Sequence, residues 1–134
     1  MSRPALSALA LGAVLVGALT AACAPNTPAS TTSGPITVTS TADECRLSAA
    51  EAPAGTLTFS VKNEGDEVTE FYLLAEDGQR VVSELEDIGP GLVRDLVVQA
   101  EPGTYVAACK PSMAGDGIRH PFTVTDAGAS TLAP

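Results

Sequence analysis

The chain has 134 residues, seven basic and sixteen acidic side chains and a formal net charge of −9. That length holds one domain, and that charge excludes phosphate-backbone binding and electrostatic docking on anionic lipid. An acidic surface suits cations, although solubility alone predicts the same balance.

The first 22 residues are set apart from the rest. Met1-Ser2-Arg3-Pro4 carries the only early positive charge, and Ala5 to Ala22 is apolar or small without a charge. A cationic start, an apolar middle and small residues before a cysteine describe a secretory signal. Leu19-Thr20-Ala21-Ala22-Cys23 resembles a bacterial lipobox, which implies cleavage after residue 22 and lipidation of Cys23. Export and anchoring place the mature chain outside the cytoplasm, in the cell envelope or periplasmic space. With Cys23 lipidated, Cys45 and Cys109 remain as a pair in an oxidising compartment, where a disulfide is the default. Ligation of a soft metal by the two thiolates is the alternative, and the two exclude each other at any moment.

Residues 23–35 are rich in Pro, Ser and Thr without apolar periodicity, and read as a tether. The folded part runs from Ile36 to Thr125, with residues 126–134 as a tail. Within it, Ile36 to Ser40 alternates apolar with polar. Thr56 to Lys62 alternates cleanly, which puts Leu57, Phe59 and Val61 on a buried face. Asn63-Glu64-Gly65-Asp66 is a turn. Val68 to Leu74 is rich in β-branched and aromatic residues and closes on Glu76-Asp77-Gly78. Further strands are expected over Arg80 to Glu86, Val93 to Gln99, Thr104 to Cys109 and Pro121 to Thr125. The section from Ala42 to Ala54 shows no firm pattern and has room for one irregular strand. No helix and no internal repeat is expected. Seven to eight short strands at this spacing predict an all-β Greek-key sandwich.

Two word groups carry chemistry. One is Val61-Lys62-Asn63-Glu64-Gly65 followed by Val68-Thr69-Glu70-Phe71. The other is Pro102-Gly103-Thr104-Tyr105, leading to Cys109-Lys110-Pro111-Ser112-Met113 and a last strand. Their order resembles cupredoxins, whose blue-copper members hold the metal between two His, one Cys and an axial Met. Cys109 and Met113 fall at ligand positions of that pattern. Lys110-Pro111-Ser112 contains no histidine, Glu70 stands where the earlier histidine is expected, and His120 lies outside the loop. A type 1 blue-copper site is therefore not expected. More narrowly, Val68-Thr69-Glu70-Phe71-Tyr72, Glu84-Leu85-Glu86-Asp87-Ile88-Gly89-Pro90-Gly91 and the segment from Cys109 to Arg119 resemble the cupredoxin-like domain of EfeO-type iron-uptake lipoproteins. That resemblance covers Ile36 to Thr125. It implies metal binding, with ferric iron or cupric copper, in bacterial iron import. The helical peptidase-like domain of longer members has no counterpart in these 134 residues.

The candidate ligands are Glu70, Glu84 and Glu86, with Cys45, Cys109 and Met113 as a softer set if the thiols are reduced. A carboxylate at Glu70, among apolar and aromatic residues, calls for a pair, a hydrogen bond or a cation. Alternation puts Glu84 and Glu86 on one face, where paired carboxylates suit a hard cation, and an exposed sheet face predicts the same pattern. Met113 is expected to plug the end of the sandwich if it is not a ligand. Asp116, between two glycines, reads as a turn residue, and His120 as a surface histidine. Arg94 and Arg119 are expected to pair with carboxylates. No nucleophile, base and oxyanion set can be assembled, so the chain is not expected to be an enzyme. The expected function is a lipid-anchored metal-binding module, whose partners are the metal ion and an iron-permease or peroxidase-like importer component. The rival expectation is a metal-free domain that docks onto such a component.

Overall fold

The computed structural model describes residues 34–127. The signal segment, Cys23, most of the tether and most of the tail lie outside these residues. Nine strands make two sheets, and the described residues contain no helix. The strands are β1 (Ile36–Ser40), β2 (Cys45–Leu47), β3 (Glu51–Pro53), β4 (Gly55–Asn63), β5 (Thr69–Ala75), β6 (Val81–Ile88), β7 (Val93–Ala100), β8 (Gly103–Pro111) and β9 (Ile118–Thr125). The order is β2-β1-β4-β7 in one sheet and β3-β9-β8-β5-β6 in the other. β1 runs parallel to β4 and β3 parallel to β9, while all other pairings are antiparallel. The predicted sandwich is present, with nine strands rather than seven or eight. The extra pieces are β2 and β3, two strands of three residues each in the section where at most one was expected.

Alternation is the force that assembles the layers. Leu57, Phe59 and Val61 of β4 are buried as their spacing predicts, and they face Phe71 and Leu73 of β5 across the sandwich. All three phenylalanines of the chain meet here without exposure. Phe59 lies 5.3 Å from Phe71 and 5.3 Å from Phe122, ring centre to ring centre, in tilted and edge-on contacts. Each buried ring contributes about 2–3 kcal/mol of apolar transfer, with roughly 1 kcal/mol more for each oriented pair.

β9 begins at Ile118, three residues before the predicted start, and runs through Pro121. A proline lacks the ladder donor, yet Pro121 is tolerated because β9 pairs there only with β8. β6 continues past Glu86 to Ile88 by means of a bulge. Thr69 pairs with Ile88 and Phe71 with Leu85, so Glu70 stands opposite two residues, Glu86 and Asp87. Asp87 takes the left-handed conformation (φ 56°) that such a bulge requires.

β5 lies between β8 and β6 in its sheet and is buried on both faces. Thr69, Phe71 and Leu73 point into the sandwich. Leu74, and Ala108 opposite Tyr72 on β8, are also buried but lie outside the inter-sheet cluster, on the outer face.

Candidate metal centre

The chain gathers polar chemistry at two places, one end of the sandwich and the outer face of the five-stranded sheet. At the end, Asn63 closes β4. It is 1 % exposed, its Nδ2 donates to the carbonyls of Glu67 and Ile88 at 2.8 Å each, and its Oδ1 accepts from the Gly65 amide at 2.9 Å. Its own amide donates to Leu92 and its carbonyl accepts from Gly91. The side chain thereby ties the β4–β5 loop to the end of β6, and the backbone of the same residue holds the β6–β7 loop. Beside it, the buried hydroxyls of Ser40 and Thr69 meet at 2.9 Å across the two sheets.

Cys45 of β2 and Cys109 of β8 form a disulfide that crosses between the sheets, with both residues buried. The expected pairing is present, and it takes both sulfurs out of thiolate chemistry in this state. Met113 follows in the loop, and here the plug reading is corrected: the residue is 47 % exposed. The cause is the loop's course. Ser112 and Met113 both have positive φ, and their amides bond back to Val68 and Lys110, which turns the chain outward. Gly117 then brings it back so closely that a Cβ there would lie 2.6 Å from the Cys109 carbonyl oxygen, with φ at +76°. Only glycine fits that position.

Asp116 is exposed, and its carboxylate lies 3.9 Å from Arg119. Arg119 also donates to the carbonyls of Asp116 and Gly78, so it fastens the loop to the β5–β6 turn. Arg94 departs from expectation. It donates to the backbone carbonyl of Glu86 on β6 rather than to a carboxylate. His120 is exposed on β9 and lines a groove of about 500 Å³ with Cys45, Arg46 and Ile118.

The outer face carries Glu70, Tyr72, Glu84 and Lys110. Glu70 is 9 % exposed. Its Oε2 accepts a hydrogen bond from the Tyr72 hydroxyl at 2.7 Å and lies 3.8 Å from the Lys110 ammonium. Lys110 stands directly opposite Glu70 across β5 and β8, with its Nζ 5.2 Å from the centre of the Tyr72 ring. Glu84 is directly opposite Tyr72 on β6, and the bulge brings Glu86 alongside. Burial and the hydrogen bond to Glu70 push the Tyr72 phenol far above the usual tyrosine range, with the Glu70, Glu84 and Glu86 charges adding to the rise. The sequence signal for Tyr72 was its position two residues from Glu70, on the same strand face. Lys110 gave no local signal, since only the strand register brings it there.

The Tyr72 shift has a consequence for stability. The folded state keeps this phenol protonated where an unfolded chain ionises it. Its contribution is therefore complete below about pH 10 and is lost as pH rises above that. Alkaline urea melts should show Tyr72→Phe losing less stability above about pH 10 than wild type. Equal alkaline losses in the two proteins would show that Tyr72 is not held protonated.

Residues 11–119 match the cupredoxin-like domain family, and the chain belongs to that family. Its fold is shared with auracyanin from the photosynthetic bacterium Roseiflexus castenholzii, solved in a dithionite-reduced state. That match has 21 % identity and a TM-score of 0.52 over 67 % of this chain and 95 % of that one. It is likewise similar to auracyanin A, a "blue" copper protein from the green thermophilic bacterium Chloroflexus aurantiacus. Here identity is 16 % and the TM-score 0.50, over 69 % and 100 % of the two chains. No curated protein sequence matches the chain.

The residues present do not fit the type 1 copper that such proteins imply. The site needs a thiolate and two imidazoles. Cys109 is bonded to Cys45, and the chain has a single histidine. Among the described residues, no three His, Cys, Asp or Glu side chains are already disposed to hold a metal ion.

Proposed function

We propose that this chain is an extracytoplasmic, lipid-anchored module of bacterial iron uptake that carries ferric iron at the outer face of its five-stranded sheet. It acts as a carrier and not as an enzyme. The observation that carries this reading is the placement of Glu70, Glu84 and Glu86 on one sheet face, which the β5–β6 register and its bulge bring about. All are oxygen donors, and a hard trivalent cation prefers such a set. Glu70 is held by Tyr72 and Lys110, while Glu84 and Glu86 are exposed. The disulfide agrees with an oxidising compartment outside the cytoplasm.

The test is calorimetric titration of the purified chain, disulfide intact, with ferric citrate and with cupric ion, beside Glu70→Gln. Saturable ferric binding is expected, weakened at least tenfold in the variant, with cupric ion the weaker ligand. A second reading has its own support. Glu70 is already satisfied by Tyr72 and Lys110, which suits a metal-free domain that docks onto a permease or peroxidase-like importer component. Heats of dilution alone from both proteins and both metals would abandon the carrier and leave the docking domain.

A further inference from the structure

We infer that Lys110 is an internal counter-cation that keeps the carboxylate face closed until an incoming cation displaces it; this rests on the carrier reading above. The two groups are direct cross-strand partners, and the ammonium lies 3.8 Å from the same Glu70 oxygen that accepts the Tyr72 hydrogen bond. Neither is free at the surface: the Lys110 side chain is 26 % exposed and that of Glu70 only 11 %. A surface pair of long, mobile side chains would contribute little, but here the positive charge rests against a carboxylate with small access to water.

The position of Lys110 is built rather than incidental. Its backbone follows Cys109, which the disulfide fixes to β2. Its stem passes under Gly117, where an added Cβ would lie 2.8 Å from Lys110 Cγ. Its head lies over the face of Tyr72, 5.2 Å from the ring centre, where the ring's negative face attracts a cation. Three independent contacts thus hold one ammonium in front of one carboxylate. A metal ion approaching Glu70 meets that charge first. Binding must therefore include expulsion of the ammonium to solvent, and affinity is lowered by the interactions it loses.

The experiment compares wild type, Lys110→Met and Lys110→Arg by calorimetric titration with ferric citrate, using citrate alone as blank. Methionine keeps the apolar stem and removes the charge; arginine keeps the charge. Thermal melts without iron first establish that each variant is folded. Lys110→Met should bind at least tenfold more tightly than wild type, and Lys110→Arg within about threefold of it. If wild type does not bind, the carrier reading falls and the inference falls with it, whatever Lys110→Met does. If wild type binds and Lys110→Met binds equally or more weakly, the counter-cation role is overturned and the carrier reading stands. If no variant binds, both fall together.

Discussion

Replacing Cys45 and Cys109 together by alanine should cost this domain about 4 kcal/mol of stability. The cross-link closes a loop with a sequence separation of 64 residues. Removing it returns the loop's closure entropy to the unfolded chain, and chain-entropy arithmetic gives the quoted magnitude. Domains of this size hold roughly 5–15 kcal/mol in all, so the loss is a large share of the total. Alanine is preferred to serine because both sites are buried, and a hydroxyl there would need a partner the core does not offer. A melting-temperature drop of roughly 15–30 °C is expected.

The structural origin of that effect can be localised. β2 has three residues and only β1 as a sheet neighbour, so the bond to β8 is its main tie to the second sheet. Hydrogen exchange at residues 45–47 should therefore accelerate more in the double variant than exchange at β4 or β5. Chemical reduction should be slow in the native state, because both sulfurs are inaccessible, and should follow global opening. A melting point within about 5 °C of wild type would mean that the inter-sheet core holds β2 without its staple.

The same disulfide shows how much of this molecule is written locally. Two cysteines in a chain whose opening residues read as an export signal argue for a bond without any structure, and the bond is present. Period-two alternation likewise marks β4 and its inward residues Leu57, Phe59 and Val61, because a half-buried strand must alternate. β2 and β3 escape such a reading, since three residues cannot display a period. The end of β6 escapes it for another reason: the extra residue at the Glu86–Asp87 bulge breaks the alternation that would extend the strand to Ile88. The candidate site is the least legible part. Glu70 stands out as a carboxylate among apolar neighbours, and its need for a partner is readable. Its Lys110 partner is forty residues away, and only the register of β5 on β8 brings the two together. A one-residue slip would send Lys110 into the core and Cys109 to solvent, so the disulfide that fixes the layers also fixes the charge pair.

Asn63→Ala is expected to cost about 3–5 kcal/mol, more than most single changes in a domain of this size. Alanine deletes three hydrogen bonds at once, leaving the buried Ile88 carbonyl and the part-buried Glu67 carbonyl and Gly65 amide without their partner. The Ile88 carbonyl loses its bond and keeps its desolvation penalty, and the two part-buried groups keep part of theirs, so the sum exceeds what three exposed bonds would contribute. Asn63→Asp provides the informative contrast. It keeps the acceptor for Gly65 but removes both donors and sets a carboxylate oxygen against two carbonyl oxygens. It should be at least as destabilising as alanine at neutral pH, and should recover part of the loss below about pH 4, where a protonated carboxyl can donate again. Urea unfolding at pH 7 and at pH 3.5 measures both expectations, each variant referred to wild type at the same pH. The damage also reaches the candidate site. Ile88, whose carbonyl Asn63 holds, ends the strand whose bulge sets Glu86 beside Glu70 and Tyr72. Ferric binding should therefore weaken in Asn63→Ala even at temperatures where the variant remains folded. Unchanged affinity with reduced stability would show that the β5–β6 register alone positions the carboxylates.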